Sequence, residues 1–230
     1  MNLVAIMLIE QLQDRISELD KNPKETINHL LSMVDLKAPV ETFEQAHNLL
    51  LLGRGYLITG NLDLSEQMLH KALYYINDQE HLMSKFQCYC NLGIVYREKN
   101  QFDLALKALN TCVNLSYDLE DFSYVILALV NISSVYTALG NHEKSIEMLE
   151  NALGYKSQLN NTKILADLYN NYGFALMSDK QYAEALKYLM ASYDVYKRLY
   201  GDDIQTNLVI ALSNIGETYV NLGDYEHAKL

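Results

Sequence analysis

Apolar residues recur along this chain at three- and four-residue spacing, the period of an amphipathic helix, in runs closed by short polar turns. Those turns read TGN (59–61), EKNQ (98–101), LGN (139–141), SDKQ (178–181) and LGD (222–224), and glycine or asparagine at such places stops a helix. The pattern predicts helical hairpins, and the hairpins repeat. The stretch NLGIVY (91–96) returns as NISSVY (131–136), NYGFAL (171–176) and NIGETY (214–219), with a looser copy LLGRGY (51–56). Its small third residue falls at Gly53, Gly93, Ser133, Gly173 and Gly216, at intervals of 40, 40, 40 and 43 residues. Twelve residues on stand Ser65, Ala105, Ser145, Ala185 and Ala228, and the first four of these are followed four later by Leu69, Leu109, Leu149 and Leu189. A further small residue stands at Ala72, Cys112, Ala152 and Ser192. Two antiparallel helices approach most closely where neither carries a large side chain, and leucines or aromatics fill the space beside the crossing.

A small residue at position 8, tyrosine at 11, small at 20, large apolar at 24 and small at 27 resemble the tetratricopeptide repeat (TPR), and the resemblance spans residues 41 to 230. Two features depart from the usual pattern. The proline that closes the second helix is replaced by Asn77, Tyr117, Ser157 and Lys197, and the period exceeds 34 residues. The longer unit is similar to the variety found in kinesin light chains and bacterial peptide-sensing regulators, and YGDDIQT (200–206) resembles an inter-repeat loop of the former. The resemblance implies an all-α, right-handed superhelical solenoid of antiparallel helix pairs, with repeats at 41–80, 81–120, 121–160 and 161–203 and a truncated fifth at 204–230. Residues 1–38 supply two more helical patterns, Leu8, Leu12, Ile16 and Leu19, then Ile27, Leu30, Leu31 and Val34, which read as a degenerate N-terminal cap. KAPV (37–40) is the hinge into the first full repeat.

Composition removes several functions. A formal charge of -11 repels phosphate backbones and anionic lipid, so neither nucleic acid nor membrane insertion is expected. Half the residues are apolar and only two are proline, which favours a packed helical chain over disorder or a β-sandwich. Cys88, Cys90 and Cys112 form no disulfide framework, and the apolar run Leu3 to Ile9 is too short and too uncharged in front to be a span or a leader. The reading is cytoplasmic.

Catalytic chemistry finds no support. The histidines at 29, 47, 70, 81, 142 and 227 are scattered without ligand spacing, Cys88 and Cys90 point apart on a helix, and GRGYLITG (53–60) lacks the setting of a phosphate loop. No catalytic residue, metal or cofactor is assigned. The family resemblance places positions 2, 5, 9 and 12 of each repeat in a concave groove lined by the first helices. Here that stripe includes Arg54; Gln87, Cys90 and Arg97; Ser134; Asn170 and Phe174; and Glu217. One step round lies an asparagine row, Asn91, Asn131, Asn171 and Asn214. Amides both donate and accept, so the row could pair with a bound peptide backbone, or it could bond between repeats and hold the stack. The Lys-rich clamp of chaperone-binding repeats is absent, since Leu50 and Arg54, Cys90 and Ile94, and Val130 and Ser134 stand at its places.

The expected function is a non-catalytic scaffold that binds a peptide or protein segment, with an acidic group toward Arg54 and Arg97 and a basic or amine group toward Asp167 and Glu217. The alternative is the N-terminal sensory array of a larger bacterial signalling protein, for example a GGDEF-type diguanylate cyclase whose output domain lies beyond residue 230. DYEHAKL (224–230) stops in mid-helix, so it is expected to fray or to pair end to end as a homo-oligomer.

Overall fold

The fold is described from a computed structural model at residues 18, 19, 21–76, 81–159, 161–201 and 205–229. The first N-terminal helical pattern, at Leu8, Leu12 and Ile16, Asn77, and part of the 200–206 link lie outside those residues. The helices are α1 (Pro23–Met33), α2 (Phe43–Ile58), α3 (Leu62–Tyr75), α4 (Leu82–Glu98), α5 (Phe102–Asp118), α6 (Phe122–Ala138), α7 (His142–Leu153), α8 (Thr162–Ser178), α9 (Tyr182–Tyr200) and α10 (Thr206–Leu222). No strand occurs among the described residues. The chain divides into two compact units, Met1–Thr111 and Cys112–Leu230.

Local chemistry starts and stops these helices. Thr42 begins α2 with a capping box, its hydroxyl accepting from Gln45 N while Gln45 Oε1 accepts from Thr42 N. Asp121, Asn141 and Asn161 accept from the first amides of α6, α7 and α8. The hairpin turns need one left-handed residue each, supplied by Gly60, Asn100, Gly140, Lys180 and Gly223 at φ of 77°, 58°, 72°, 64° and 79°. Among the second helices of the hairpins α7 is the short one, because Gly154 takes its last carbonyls and a 3-10 turn follows at Lys156–Gln158.

In the first unit, Leu49, Leu50, Leu51 and Leu52 are each exposed by 2% or less, which buries the middle of α2 on every side rather than along one stripe. Leu19 and Ile27 close one side of it against Gly55, and α3 covers another. The crossings are tight: a Cβ on Gly53 would stand 2.6 Å from Leu69 Cγ, and one on Gly93 2.5 Å from Leu109 Cγ. Lys99 ties α4 back to α3, its ammonium 2.7 Å from both Asp63 Oδ1 and Glu66 Oε2, and His70 Nε2 lies 2.9 Å from the Tyr96 hydroxyl.

The second unit repeats the scheme. Gly173 meets Leu189 Cγ at 2.6 Å from an added Cβ, and the surrounding core includes Ile126, Leu149, Leu168, Tyr172, Leu176 and Ile215. Where α6 and α7 cross, Ser133 replaces glycine and bonds to Val130 O, while Thr137 and Ser145 hydroxyls pair at 2.8 Å. Polar atoms at small-residue positions are thus satisfied inside the core rather than left orphaned. After Gly223 a 3-10 turn at His227–Lys229 packs on α10.

Candidate functional site

The sequence-derived stripe falls on first helices in both units, so each stripe is held on a rigid element. In the first unit α2 and α4 pack together, and Arg54, Gln87, Cys90 and Arg97 are partly exposed on them. Asn91 is buried at 6% exposure, inside the packing rather than on the face, and so is Leu50. Arg97 pairs with its neighbour Glu98. Cys88 is buried, which pushes its thiol far above the ordinary range and keeps it unreactive. A shallow open depression does lie on the first unit, but its lining from Asp63 to Tyr74 is all α3, a second helix.

In the second unit α6, α8 and α10 carry the stripe, α8 beside each of the others. Two asparagines of the row turn back on their own helix: Asn131 Nδ2 donates to Leu127 O at 2.9 Å, and Asn171 Nδ2 to Asp167 O at 2.7 Å. Ser134 does likewise to Val130 O. Asn214 instead donates to Asn170 Oδ1 at 3.2 Å, joining α10 to α8. That inter-repeat bond involves a groove-stripe residue, Asn170, and not the row member Asn171. Phe174, one turn further along α8, is 39% exposed, and Glu217 on α10 is exposed.

Asp167 has a different role from the one its stripe position suggests. Its Oδ1 accepts from the Tyr196 hydroxyl and from Asn207 Nδ2 at 2.8 Å, and its Oδ2 from Lys163 Nζ at 3.0 Å. One carboxylate therefore fastens α8, α9 and α10 together. Burial first, and then Asp167, push the Tyr196 phenol well above its ordinary range. Sequence reasoning passed over Tyr196 and Asn207. Only the spacing of a helix-start asparagine one repeat after an aspartate signals their meeting. The paired residues Asp167 with Asn207, Asn170 with Asn214 and Met177 with Thr218 advance in the same direction along both helices, so α8 and α10 run parallel.

Among the described residues no group of three His, Cys, Asp or Glu side chains could hold a metal ion, and no helix is long and apolar enough to cross a membrane. No curated protein matches the sequence. Solved structures do. A Rap protein complexed with competence and sporulation factor aligns with a TM-score of 0.77 at 17% identity, over 95% of this chain and 60% of that one. BtubC (BKLC) from P. vanneervenii aligns with a TM-score of 0.67 at 17% identity, over 95% and 87%. NprR in complex with its cognate peptide NprX gives 0.67 at 17%, over 96% and 61%. The chain thus spans about three fifths of the Rap and NprR chains. These likenesses establish a shared all-α repeat fold. Family profiles described as tetratricopeptide repeat match residues 164–230 and, separately, residues 86–118 and 126–159. With the crossings, turns and hairpin register found in both units, these matches assign the chain to the tetratricopeptide repeat family.

Proposed function

We propose that the first-helix faces bind an extended peptide or protein segment and that the chain acts as a non-catalytic scaffold. The observation that carries this reading is the face shared by α8 and α10. There an exposed aromatic, Phe174, stands beside the linked amides Asn170 and Asn214, all on helices fixed from behind by a packed core. An apolar anchor with a few convergent polar groups on a rigid support suits a peptide. Structures of the same fold support it, since NprR was crystallised with its cognate peptide and a Rap protein with a competence and sporulation factor.

The test is a peptide array probed with the wild-type chain and with Asn170→Ala and Phe174→Ala. Each substitution should weaken captured peptides about tenfold, the effect of losing one well-placed contact. Peptides captured equally by all three proteins, or none captured at all, would overturn the assignment.

A further inference from the structure

We infer that the α8 and α10 face selects a basic residue, whose guanidinium or ammonium group sits between the Phe174 ring and the Glu217 carboxylate. The inference rests on the peptide-binding reading above and specifies what that peptide must carry. Asn170 and Asn214 are bonded across the two helices, and Met177 Sδ accepts from Thr218 Oγ1 a little further along. Phe174 lies four residues after Asn170 and Glu217 three after Asn214, so along the parallel helices both fall between these two cross-links.

Chemistry then decides the occupant. An aromatic face carries negative quadrupole charge and attracts cations, arginine more than lysine. The Glu217 carboxylate has no ion-pair partner among the described residues, whereas both oxygens of Asp167 are taken by Lys163, Tyr196 and Asn207. Of these two acids on the stripe, Glu217 is the one with a charge to offer. A neutral or acidic side chain laid over Phe174 would cover that carboxylate without pairing it, which costs free energy. A basic side chain satisfies ring and carboxylate together, so the face discriminates by penalising the alternatives as well as by attraction.

The experiment uses the whole chain, immobilised, and end-blocked octapeptide pools randomised except at one position fixed as Arg, Lys, citrulline, Leu or Glu. Citrulline keeps the shape of arginine without its charge. Capture of the Arg- and Lys-fixed pools should exceed that of the citrulline pool about tenfold, the combined effect of a partly exposed ion pair and cation–π contact. Glu217→Gln should remove the preference, with melting temperature unchanged because its side chain is exposed, and Phe174→Ala should reduce the preference severalfold. Glu217→Gln alters the net charge of -11 by only one, so general attraction of basic pools to an acidic protein persists in that variant. Arg and citrulline pools captured alike, in an Asn170-dependent way, would overturn the inference and leave the peptide surface standing. An arginine preference that survives Glu217→Gln would also overturn it. No pool captured would remove both.

Discussion

Gly93→Ala tests the helix crossing most sharply, because helix propensity and packing push its effect in opposite directions. Alanine in a helix interior is favoured over glycine by about 1 kcal/mol. At Gly93, however, the new methyl would stand 2.5 Å from Leu109 Cγ, 2.6 Å from Cδ2 and 3.2 Å from Cδ1. Leu109 is 1% exposed, and the nearest atom is its branch point rather than a free end, so it has little room to turn aside. Overpacking of that kind costs about 1–3 kcal/mol, and a clash with a buried branch point falls toward the upper end, so after the propensity gain a net loss of up to about 2 kcal/mol remains. Gly93→Leu, with three more carbons to place, should lose several kcal/mol by the same reasoning. Gly216→Ala is the control at the same repeat position. Its nearest neighbour is Ala228 O at 3.7 Å, an ordinary contact, so propensity should prevail and stability should rise by about 0.5–1 kcal/mol. A double variant completes the case. Leu109→Ala alone should cost about 3 kcal/mol, but it vacates the space the Gly93→Ala methyl needs, so the pair should fall short of additivity by about 1 kcal/mol. Urea unfolding followed by circular dichroism measures all five. The same sign at 93 and 216, or strict additivity of the pair, would refute the packing argument.

Further expectations concern turns, tyrosines and the groove. Lys180→Gly and Asn100→Gly should each raise stability by up to about 1 kcal/mol, since both residues sit at positive φ, whereas Gly140→Ala at 72° should lower it similarly; unchanged melting would show these turns to be unstrained. Burial, followed by Glu150, pushes the Tyr172 phenol up to about 12, and burial with Asp167 raises Tyr196 further. The unfolded chain ionises its phenols near about pH 10 while the fold keeps these two protonated, so their contribution is complete below that pH and is lost as pH rises further. Melting curves between pH 8 and 11.5 should therefore fall less steeply for a Tyr172→Phe, Tyr196→Phe variant than for wild type, and parallel curves would count against it. Asp167→Ala should cost about 3 kcal/mol by stranding Tyr196, Asn207 and Lys163, and a surface-like effect below about 0.5 kcal/mol would contradict the bracing role. For the first unit, Arg54→Glu with Arg97→Glu should weaken acid-containing peptides about tenfold on the array, with indifference counting against any acidic group there.

Much of the fold could be read in advance because hairpin packing is a one-dimensional code. Gly53, Gly93 and Gly173 recur at a fixed interval, each followed sixteen residues later by a leucine, and the structure sets that leucine on that glycine. Backbone proximity at a crossing leaves few residue types able to occupy it, so spacing alone exposes it. The site was less legible, because a polar side chain can choose among several partners within reach. Asn131 and Asn171 return to their own helix, Asn214 reaches Asn170, and Asn91 sinks into the packing, although all four share one repeat position. Asp167 sits where a ligand contact was expected, yet three of its own chain's donors claim it. Periodicity reports which face a residue occupies, whereas the direction of its hydrogen bonds depends on neighbours far apart in sequence. The early end of α7 was also hidden, since Gly154 stands where other second helices run on.

The hairpin turns bear on how such a chain changes over generations. The left-handed residue is glycine in some turns, asparagine in another and lysine in another, yet the backbone passes through the same conformation in each. The helices on either side impose the bend, and the residue at its apex merely pays a larger or smaller toll. A random codon change there is therefore a graded event, survivable in one repeat while the others keep theirs. A codon change at Gly53, Gly93 or Gly173 meets a leucine branch point and is opposed by the packing, whereas Gly216 has no such neighbour. Copies of one ancestral hairpin can consequently drift apart first at their turns and last at their crossings, and an array assembled this way accumulates variety without losing its register.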